Sequence, residues 1–182
     1  LVNLKLIFPY LSHNEIMDLL KDSLFHSSMN FLESGMVWGR KNYANRKGFI
    51  DVKNFQSVKT SIKNNNGVLL FTPHLGNIEI LINFLGENTV CTIPYTRPKN
   101  EYIDSVITKS RNSSGVKMVN IDSVGIKEIL STLRNGNVAA FASDQVPKKG
   151  SRIFSSFFNQ DIYSIKLVPK LQQKTSCAVH LM

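Results

Sequence analysis

The order of apolar and polar positions along this chain predicts strands and helices that alternate. Four runs are almost wholly apolar, as buried strands are: "VLLFT", "TVCTIPY", "NVAAFA" and "SCAVHL". The shorter runs "FIDV" and "VKMV" predict two more strands. Between these runs, apolar residues recur at the spacing of amphipathic helices. Because parallel strands covered on both faces read as continuous apolar runs, we predict an α/β fold in which helices flank a mainly parallel, mixed sheet.

The segments with helical spacing follow the predicted strands in order. They cover 54–63, the stretch from just after His74 to about residue 85, 101–112, 124–133 and the part that follows Tyr163. Near the start of the chain, Ser12 and Glu15 have the spacing of a capping box, and the apolar period that follows predicts a helix over about 13–34.

The chain is predicted to form a single domain over residues 1–182. Its first part, 1–47, is a helical segment with a basic loop, and 48–182 form the α/β core. Four cations and no acid lie between Gly39 and Gly48, which indicates either a solvated loop or a docking patch for anions. The chain opens on Leu1 and stops in a strand-like run, so we expect a protein truncated at both ends.

Charge narrows the class of partner without choosing one. The 22 lysines and arginines outnumber the 13 acids, which gives a net charge of +9 and favours nucleic acid, phospholipid headgroups, phosphosugars or an acidic carrier protein. No apolar run approaches the ~18 residues of a membrane span, and no signal peptide is visible. Cys91 and Cys177 lie in apolar runs without ligand spacing, which is typical of reduced, buried cysteines.

Polar residues fall where the predicted strands end. His74 follows "VLLFT", Arg97 follows "TVCTIPY", and Asp144 with Gln145 follows "NVAAFA". Because ligands bind at the carboxyl ends of strands in open α/β sheets, we expect these side chains to share one cleft.

His74 and Glu79 form the candidate catalytic pair. Their five-residue spacing in "FTPHLGNIEIL" places them about 140° apart on a continuous helix. If His74 instead lies in the turn before the helix, which Pro73 and Gly76 favour, its ring can donate to the Glu79 carboxylate. A histidine oriented in this way is a general base suited to a hydroxyl. The plain alternative is a capped helix with an exposed histidine and glutamate.

Other residues are candidates for binding substrate. An arginine can clamp phosphate or carboxylate in a bidentate manner, although Arg111 is equally well placed to be an ordinary cation at a helix C-terminus. The Phe154, Phe157 and Phe158 cluster, with cations beside it, fits a membrane surface, an acyl groove or the core. The six candidate substrate-binding residues are Asn77, Arg97, Asn100, Arg111, Asp144 and Gln145.

Several types of site are absent from the sequence. There is no metal-ligand spacing, no G-x-S-x-G serine elbow, and neither a phosphate-loop nor a dinucleotide fingerprint. A covalent intermediate on the enzyme therefore has no obvious carrier. Direct attack by an activated hydroxyl on a reactive acyl donor suits the available residues better.

Taken in order, these motifs resemble the lipid A biosynthesis acyltransferases, the bacterial lauroyl and myristoyl transferases of the lysophospholipid acyltransferase-like superfamily. The similar segments are "NLKLIFPYLS", "HLGNIE", "YTRPKNEYID", Arg111 with "GVKMV", "LRNGNVAAFASDQVPKKG" and "FF". They extend from Leu1 to about Phe158, and the ordered set is much more specific than any one motif. The family often has an aromatic residue at Ile78, and "DIYS" replaces its small, Thr-rich segment, which leaves acyl-chain length and acceptor open.

The resemblance implies an acyltransferase-like fold and a defined reaction. An O-acyltransferase of this kind moves a fatty acyl chain from acyl-carrier protein to a hydroxyl of a phosphorylated glucosamine lipid, a lipid A precursor of the Kdo-lipid IVA type. The resemblance also implies His74 as base with Glu79 as partner. It implies no metal or organic cofactor, since the acyl-carrier protein thioester is the donor substrate. The implied location is the membrane surface at the cytoplasmic face of the bacterial inner membrane, and no nucleic-acid partner is expected. Family members usually begin with a membrane-anchoring helix and extend beyond the position of Met182.

Two other functions compete with this one. A related acyltransferase would act on a glycerophosphate, glycosyl-inositol lipid or ornithine lipid. A non-catalytic module that binds anionic lipid or RNA would explain the net charge without chemistry, and would be indifferent to loss of His74. No RNA-binding signature with paired surface aromatics supports the RNA-binding version.

Overall fold

A computed structural model describes residues 1–39, 50–64, 66–147 and 150–182. Nearly all of the predicted basic loop, and Lys148 and Lys149, lie outside the described residues. Two helices precede the loop, α1 (Val2–Ile7) and α2 (His13–Trp38). The predicted capping box starts α2: the Ser12 main-chain N–H donates to the Glu15 carboxylate over 2.8 Å, and the Ser12 hydroxyl accepts the Glu15 N–H.

The core alternates strands and helices as the sequence predicts. The helices are α3 (Phe55–Lys63), α4 (Ile78–Asn88), α5 (Glu101–Ser113), α6 (Ser123–Arg134) and α7 (Leu167–Thr175). The strands are β1 (Val68–Thr72), β2 (Cys91–Pro94), β3 (Lys117–Val119), β4 (Val138–Ala142), β5 (Arg152–Phe157), β6 (Gln160–Ile165) and β7 (Ala178–Leu181).

Five of the strands form one parallel sheet in the order β3-β2-β4-β1-β7. The fourth strand of the chain is therefore inserted between the first and the second. The register of β1 and β4 pairs Thr72 with Ala142, so these two strands end side by side. We call the loops that follow Thr72, Pro94, Val119 and Ala142 the carboxyl edge of the sheet.

Helices cover both faces of the sheet, as the continuous apolar strands predict. Val68 and Leu70 of β1 are buried in a cluster with residues of α3 and α4. Leu69, which points to the opposite face, is buried in a second cluster with Ile129 of α6 and Leu171 of α7. Both cysteines are free and buried, and burial raises the pKa of the Cys91 thiol to about 12.

Three details differ from the sequence-based expectations. Residues 50–52 of "FIDV" are not in a strand. Strands β5 and β6 were not predicted, and they pair with each other in an antiparallel hairpin separate from the main sheet. The hairpin also shows that Phe154, Phe157 and Phe158 are exposed, so the interpretation of this cluster as core is wrong.

Candidate active site at the carboxyl edge

His74 lies in the turn between β1 and α4, as its sequence context predicts. Gly76, with φ of +65°, takes the left-handed conformation that the turn needs. Helix α4 then begins at Ile78, with Asn77 as its N-cap. His74 is thus outside the helix and two residues beyond the end of β1.

Asp144 is the acid that contacts His74. Its carboxylate accepts the main-chain N–H of His74 over 2.8 Å and is 2.7 Å from Nδ1 of the ring. The two residues meet because β1 and β4 are neighbours and each residue lies two positions beyond the paired strand ends. Both side chains are 40% exposed, and Nδ1 is engaged, which leaves Nε2 for a ligand.

The hydrogen bonds from His74 also affect the charge of Asp144. Partial burial raises the pKa of the Asp144 carboxyl, but the bonds from the His74 main chain and ring together outweigh it and bring the pKa below its usual value. The acid is consequently ionised at neutral pH. An ionised carboxylate on Nδ1 orients the imidazole and stabilises the imidazolium that forms when Nε2 takes a proton.

Glu79 has a different partner, so the predicted hydrogen bond between His74 and Glu79 is wrong. The Glu79 carboxylate accepts two bonds from the guanidinium of Arg111, over 2.6 and 3.1 Å. The side chains are 7% and 12% exposed. A carboxylate buried to this degree requires a cation that stays charged, which arginine supplies at any physiological pH and histidine does not.

Neighbouring groups hold this ion pair in place. The Asn77 side chain accepts the main-chain N–H of Glu79 over 3.0 Å, which caps α4 at the residue that carries the acid. The guanidinium of Arg111 lies 5.1 Å from the ring centroid of Tyr95. The Tyr95 hydroxyl donates to Asp104, and burial, reinforced by that bond and the Asp104 charge, raises its pKa to about 12. Arg111 is therefore fixed on two sides.

A cavity of about 260 Å³ has both His74 and Arg111 in its lining. Its polar lining includes His74, Tyr95, Arg111 and Gln145. Its apolar lining comes from α4 and the strand ends and includes Ile78, Leu81, Ile82, Leu85, Ile93 and Phe141. The volume lies just below the ~300–1,000 Å³ of typical small-molecule pockets, and the apolar wall suits a slender hydrocarbon chain.

The remaining predicted residues are divided between this cavity and other places. Asn77 and Asn100 cap α4 and α5, so each side-chain oxygen is already used by the helix that follows. Arg97 is exposed and lines a neighbouring cavity of about 220 Å³ with Asn112 and Asn120. Tyr95 lines both cavities.

Tyr95 and the apolar wall of α4 were not predicted as site residues. Tyr95 ends the run "TVCTIPY", where it read as one more strand residue. Its position beside Arg97 at a strand end was the signal that could have identified it. The wall residues Leu81 and Leu85 carry no signal of their own, because apolar positions on a core helix look alike in a sequence.

The sequence matches a known family of proteins. The model of the family described as bacterial lipid A biosynthesis acyltransferase matches residues 1–181. The chain belongs to this family. It is 28% identical over 157 residues to the lipid A biosynthesis palmitoleoyltransferase of Escherichia coli (strain K12) and, with the same figures, to the lipid A biosynthesis acyltransferase of Shigella flexneri. Each match covers 86% of this chain and 50% of the relative, so the chain spans about half the length of these relatives.

Two negative findings apply to the part of this lipid A acyltransferase family member that the structure describes. Among residues 1–39, 50–64, 66–147 and 150–182, no helix is long and apolar enough to cross a membrane. The same residues contain no group of three or more histidine, cysteine or acidic side chains placed to hold a metal ion.

Proposed function

We propose that this protein is a lipid A biosynthesis acyltransferase that moves a fatty acyl chain from the thioester of acyl-carrier protein to a hydroxyl of a lipid A precursor of the Kdo-lipid IVA type. The observation that carries the proposal is the His74–Asp144 pair, whose histidine lines a cavity with an apolar wall, in a chain of this family. The acceptor places the reaction at a membrane surface, and we assign it to the cytoplasmic face of the inner membrane.

In the proposed reaction, Nε2 of His74 takes the proton of the acceptor hydroxyl as its oxygen attacks the thioester carbonyl. A C–O bond forms, the C–S bond breaks, and the imidazolium returns the proton to the departing thiolate. Asp144 fixes the imidazole through Nδ1 and balances its positive charge. No covalent intermediate on the protein is required.

Arg111 supplies a fixed positive charge on the wall of the same cavity. We assign it to the electronegative part of a substrate, either the thioester oxygen as it gains charge or a phosphate. In this scheme Glu79 is a positioning residue, because it acts through Arg111. Arg97, in the neighbouring cavity, is assigned to a phosphate of the acceptor.

The test is acyl transfer by the intact protein, with acyl-carrier protein thioester as donor and a tetra-acylated lipid A precursor as acceptor. His74→Ala should lower kcat by about 10²–10⁴-fold, the usual contribution of a general base. His26→Ala is the matched control, since His26 is an exposed histidine on α2 away from the cavity. Transfer at the normal rate by His74→Ala protein would refute the mechanism.

The acceptor is tested in the same assay. Glycerol 3-phosphate, lysophosphatidic acid and an ornithine lipid replace the lipid A precursor in parallel reactions. The proposal requires the lipid A precursor to be acylated with the highest kcat/KM. Preference for any of the other three would assign the protein to a different lipid pathway while leaving the role of His74 intact.

A further inference from the structure

The β5–β6 hairpin ends in two exposed aromatic residues. Phe157 and Phe158 lie at its tip, with ring centroids 4.7 Å apart, and both are more than half exposed. A third exposed ring, Phe154, lies against Tyr163 on the facing strand, with centroids 4.6 Å apart. The pair at the tip and the single ring of Phe154 are thus exposed aromatic groups that nothing in the described part of the chain covers.

The backbone conformation of the turn at the tip is unfavourable for a phenylalanine. Phe158 and Asn159 have φ of +49° and +55°, a combination typical of two-residue hairpin turns that prefer asparagine, aspartate or glycine. For a bulky residue such as phenylalanine, a positive φ is a genuine outlier with a cost in stability. Folding alone therefore does not explain why an aromatic residue occupies position 158.

The hairpin lies at the same edge of the molecule as the candidate active site. The chain enters the hairpin after β4 ends at the carboxyl edge, and it then returns through α7 to the start of β7, which is parallel to β1. Other loops at this edge also expose apolar side chains: Leu75 follows β1, Ile121 follows β3 and Val146 follows β4. Exposed apolar side chains thus occur in the hairpin and in three of the loops at this edge, and one of them, Ile121, lines the cavity that contains His74.

Charge identifies the kind of surface that would cover this edge. Arg152 and Lys166 flank the hairpin, in which Asp161 is the one acid among residues 150–166, and Arg97 with Lys99 follows β2 just before Glu101. Two other acids lie at this edge: Asp144 contacts His74, and Asp122 caps α6. Arg152 lies 3.9 Å from the ring centroid of Tyr163, so cation and aromatic surface are adjacent. Cations beside aromatic side chains are the pattern of a protein surface that binds anionic lipid.

Helix α2 offers an apolar surface of the opposite charge. It exposes Phe25 and Phe31, but its residues include four acids, Glu15, Asp18, Asp22 and Glu33, against the single cation Lys21. An anionic membrane would repel it. The two surfaces therefore make opposite predictions for the same membrane.

We propose that the hairpin tip, Phe157 and Phe158, inserts into the interface of an anionic lipid bilayer and that the exposed apolar residues of the carboxyl edge rest on that bilayer. In this orientation the opening beside His74 faces the membrane. The inference rests on the proposed function in one respect, that the acceptor is a lipid held in the same bilayer. An acyl acceptor then reaches Nε2 of His74 without leaving the membrane surface.

Insertion is measured with an environment-sensitive fluorophore, NBD, attached to the intact protein through Phe158→Cys. Phe25→Cys on α2 is the matched control, because the two phenylalanines are 56% and 62% exposed. The native Cys91 and Cys177 are buried and remain in place. Vesicles contain either phosphatidylcholine alone or phosphatidylcholine with phosphatidylglycerol.

The expected result is a blue shift at position 158 that is larger with phosphatidylglycerol and falls as salt is added, with a smaller shift at position 25. Three outcomes overturn the proposal: no shift at position 158, a shift at position 25 as large as that at 158, or a shift at 158 that appears without vesicles. A shift without vesicles that requires acyl-carrier protein would assign the surface to that protein. A shift that grows with the concentration of the protein itself would assign it to a second copy.

A substitution at the turn separates docking from folding. Phe158→Asn suits the left-handed backbone, so the free energy of unfolding should not decrease. Transfer to an acceptor embedded in phosphatidylglycerol vesicles should fall roughly tenfold, since a phenylalanine no longer enters the bilayer. Normal transfer by this variant would overturn the proposal.

The proposed function and the proposed membrane docking fail in different ways. The Phe158→Cys label is therefore also measured in a His74→Ala background, which should insert normally. If protein that retains His74 inserts but does not transfer acyl chains, the proposed function is refuted and membrane docking stands. Transfer from vesicles without insertion would refute docking and leave the function intact.

Discussion

At the scale of single residues, two carboxylates near the cavity have separate tasks. Asp144 is half-exposed and contacts a histidine, which must change its charge during the proposed reaction. Glu79 is buried and contacts an arginine, whose charge is constant. If Glu79 contacted His74 instead of Arg111, the buried carboxylate would lack a cation whenever the imidazole was neutral. A buried charge without a partner lowers the stability of the fold. Burial therefore decides which acid serves the base.

The Glu79–Arg111 pair should be essential for stability. Glu79→Ala leaves the Arg111 charge buried and unpaired, so we expect a loss of about 3–5 kcal/mol in the free energy of unfolding. Urea unfolding measures it. The double variant Glu79→Ala/Arg111→Met should recover much of the loss, because it removes both charges. Glu128→Ala, which breaks the exposed pair with Lys117, should cost only about 0–1 kcal/mol.

Asp144 should make stability depend on pH in the acid range. Its pKa is lower folded than unfolded, so the unfolded chain binds the proton more readily as pH falls. The stabilisation is complete above the unfolded value of about 3.9 and disappears as pH falls through the folded value. Urea unfolding from neutral to acid pH should therefore show wild-type protein losing its advantage over Asp144→Asn. An advantage that grows on acidification would contradict the assignment.

At the scale of elements, a close approach of α4 and α5 determines where the ion pair forms. Gly86 of α4 lies against the end of α5, where an added Cβ would come within 2.4 Å of the Ser114 carbonyl oxygen and 2.7 Å of Val116. Glycine is thus required for the two helices to come this close. That closeness brings Arg111 of α5 within reach of Glu79 in the first turn of α4.

Gly86→Ala should separate the two helices and destabilise the protein by about 1–3 kcal/mol, the usual cost of overpacking. The measurement is urea unfolding. Gly35→Ala is the control, because Gly35 lies in α2 with open space around it. That change should instead stabilise by about 0.5–1 kcal/mol, since alanine suits a helix better than glycine. Equal effects of the two changes would show that helix propensity, rather than packing, governs Gly86.

Elements with a strong periodic pattern could be predicted from the sequence, and the hairpin could not. Strands β1 and β4 are buried on both faces, and their apolar runs reveal them. The hairpin turns at Phe158 and Asn159, without glycine or proline to mark the turn, and its phenylalanines resemble core residues. The sequence also identified His74 and Asp144 as neighbours of one cleft, but their pairing depends on strand order, which the pattern of a single strand does not contain.

At the scale of the whole molecule, a buried parallel sheet lies beside an exposed hairpin. Strands β1 and β4 are covered on both faces, whereas β5 and β6 pair only with each other. We expect main-chain amides of 152–165 to exchange hydrogen with solvent faster than those of β1 and β4, because local opening of the hairpin does not disturb the sheet. Hydrogen exchange followed by mass spectrometry measures this. Equal protection in both regions would show that the hairpin is fastened to the core.

The insertion of β4 between β1 and β2 affects how the protein folds during its synthesis on the ribosome. His74 and Asp144 are 70 positions apart in the chain, and they meet only after β4 has entered the place between two strands made earlier. A chain that has left the ribosome as far as β3 still has that place open, with unpaired main-chain groups on β1 and β2. Until β4 fills the gap between β1 and β2, these strands can pair with the wrong segment. Contacts between residues this far apart in the chain also form slowly. The step in which β4 joins β1 to β2 and the step that brings Asp144 to His74 are therefore one event.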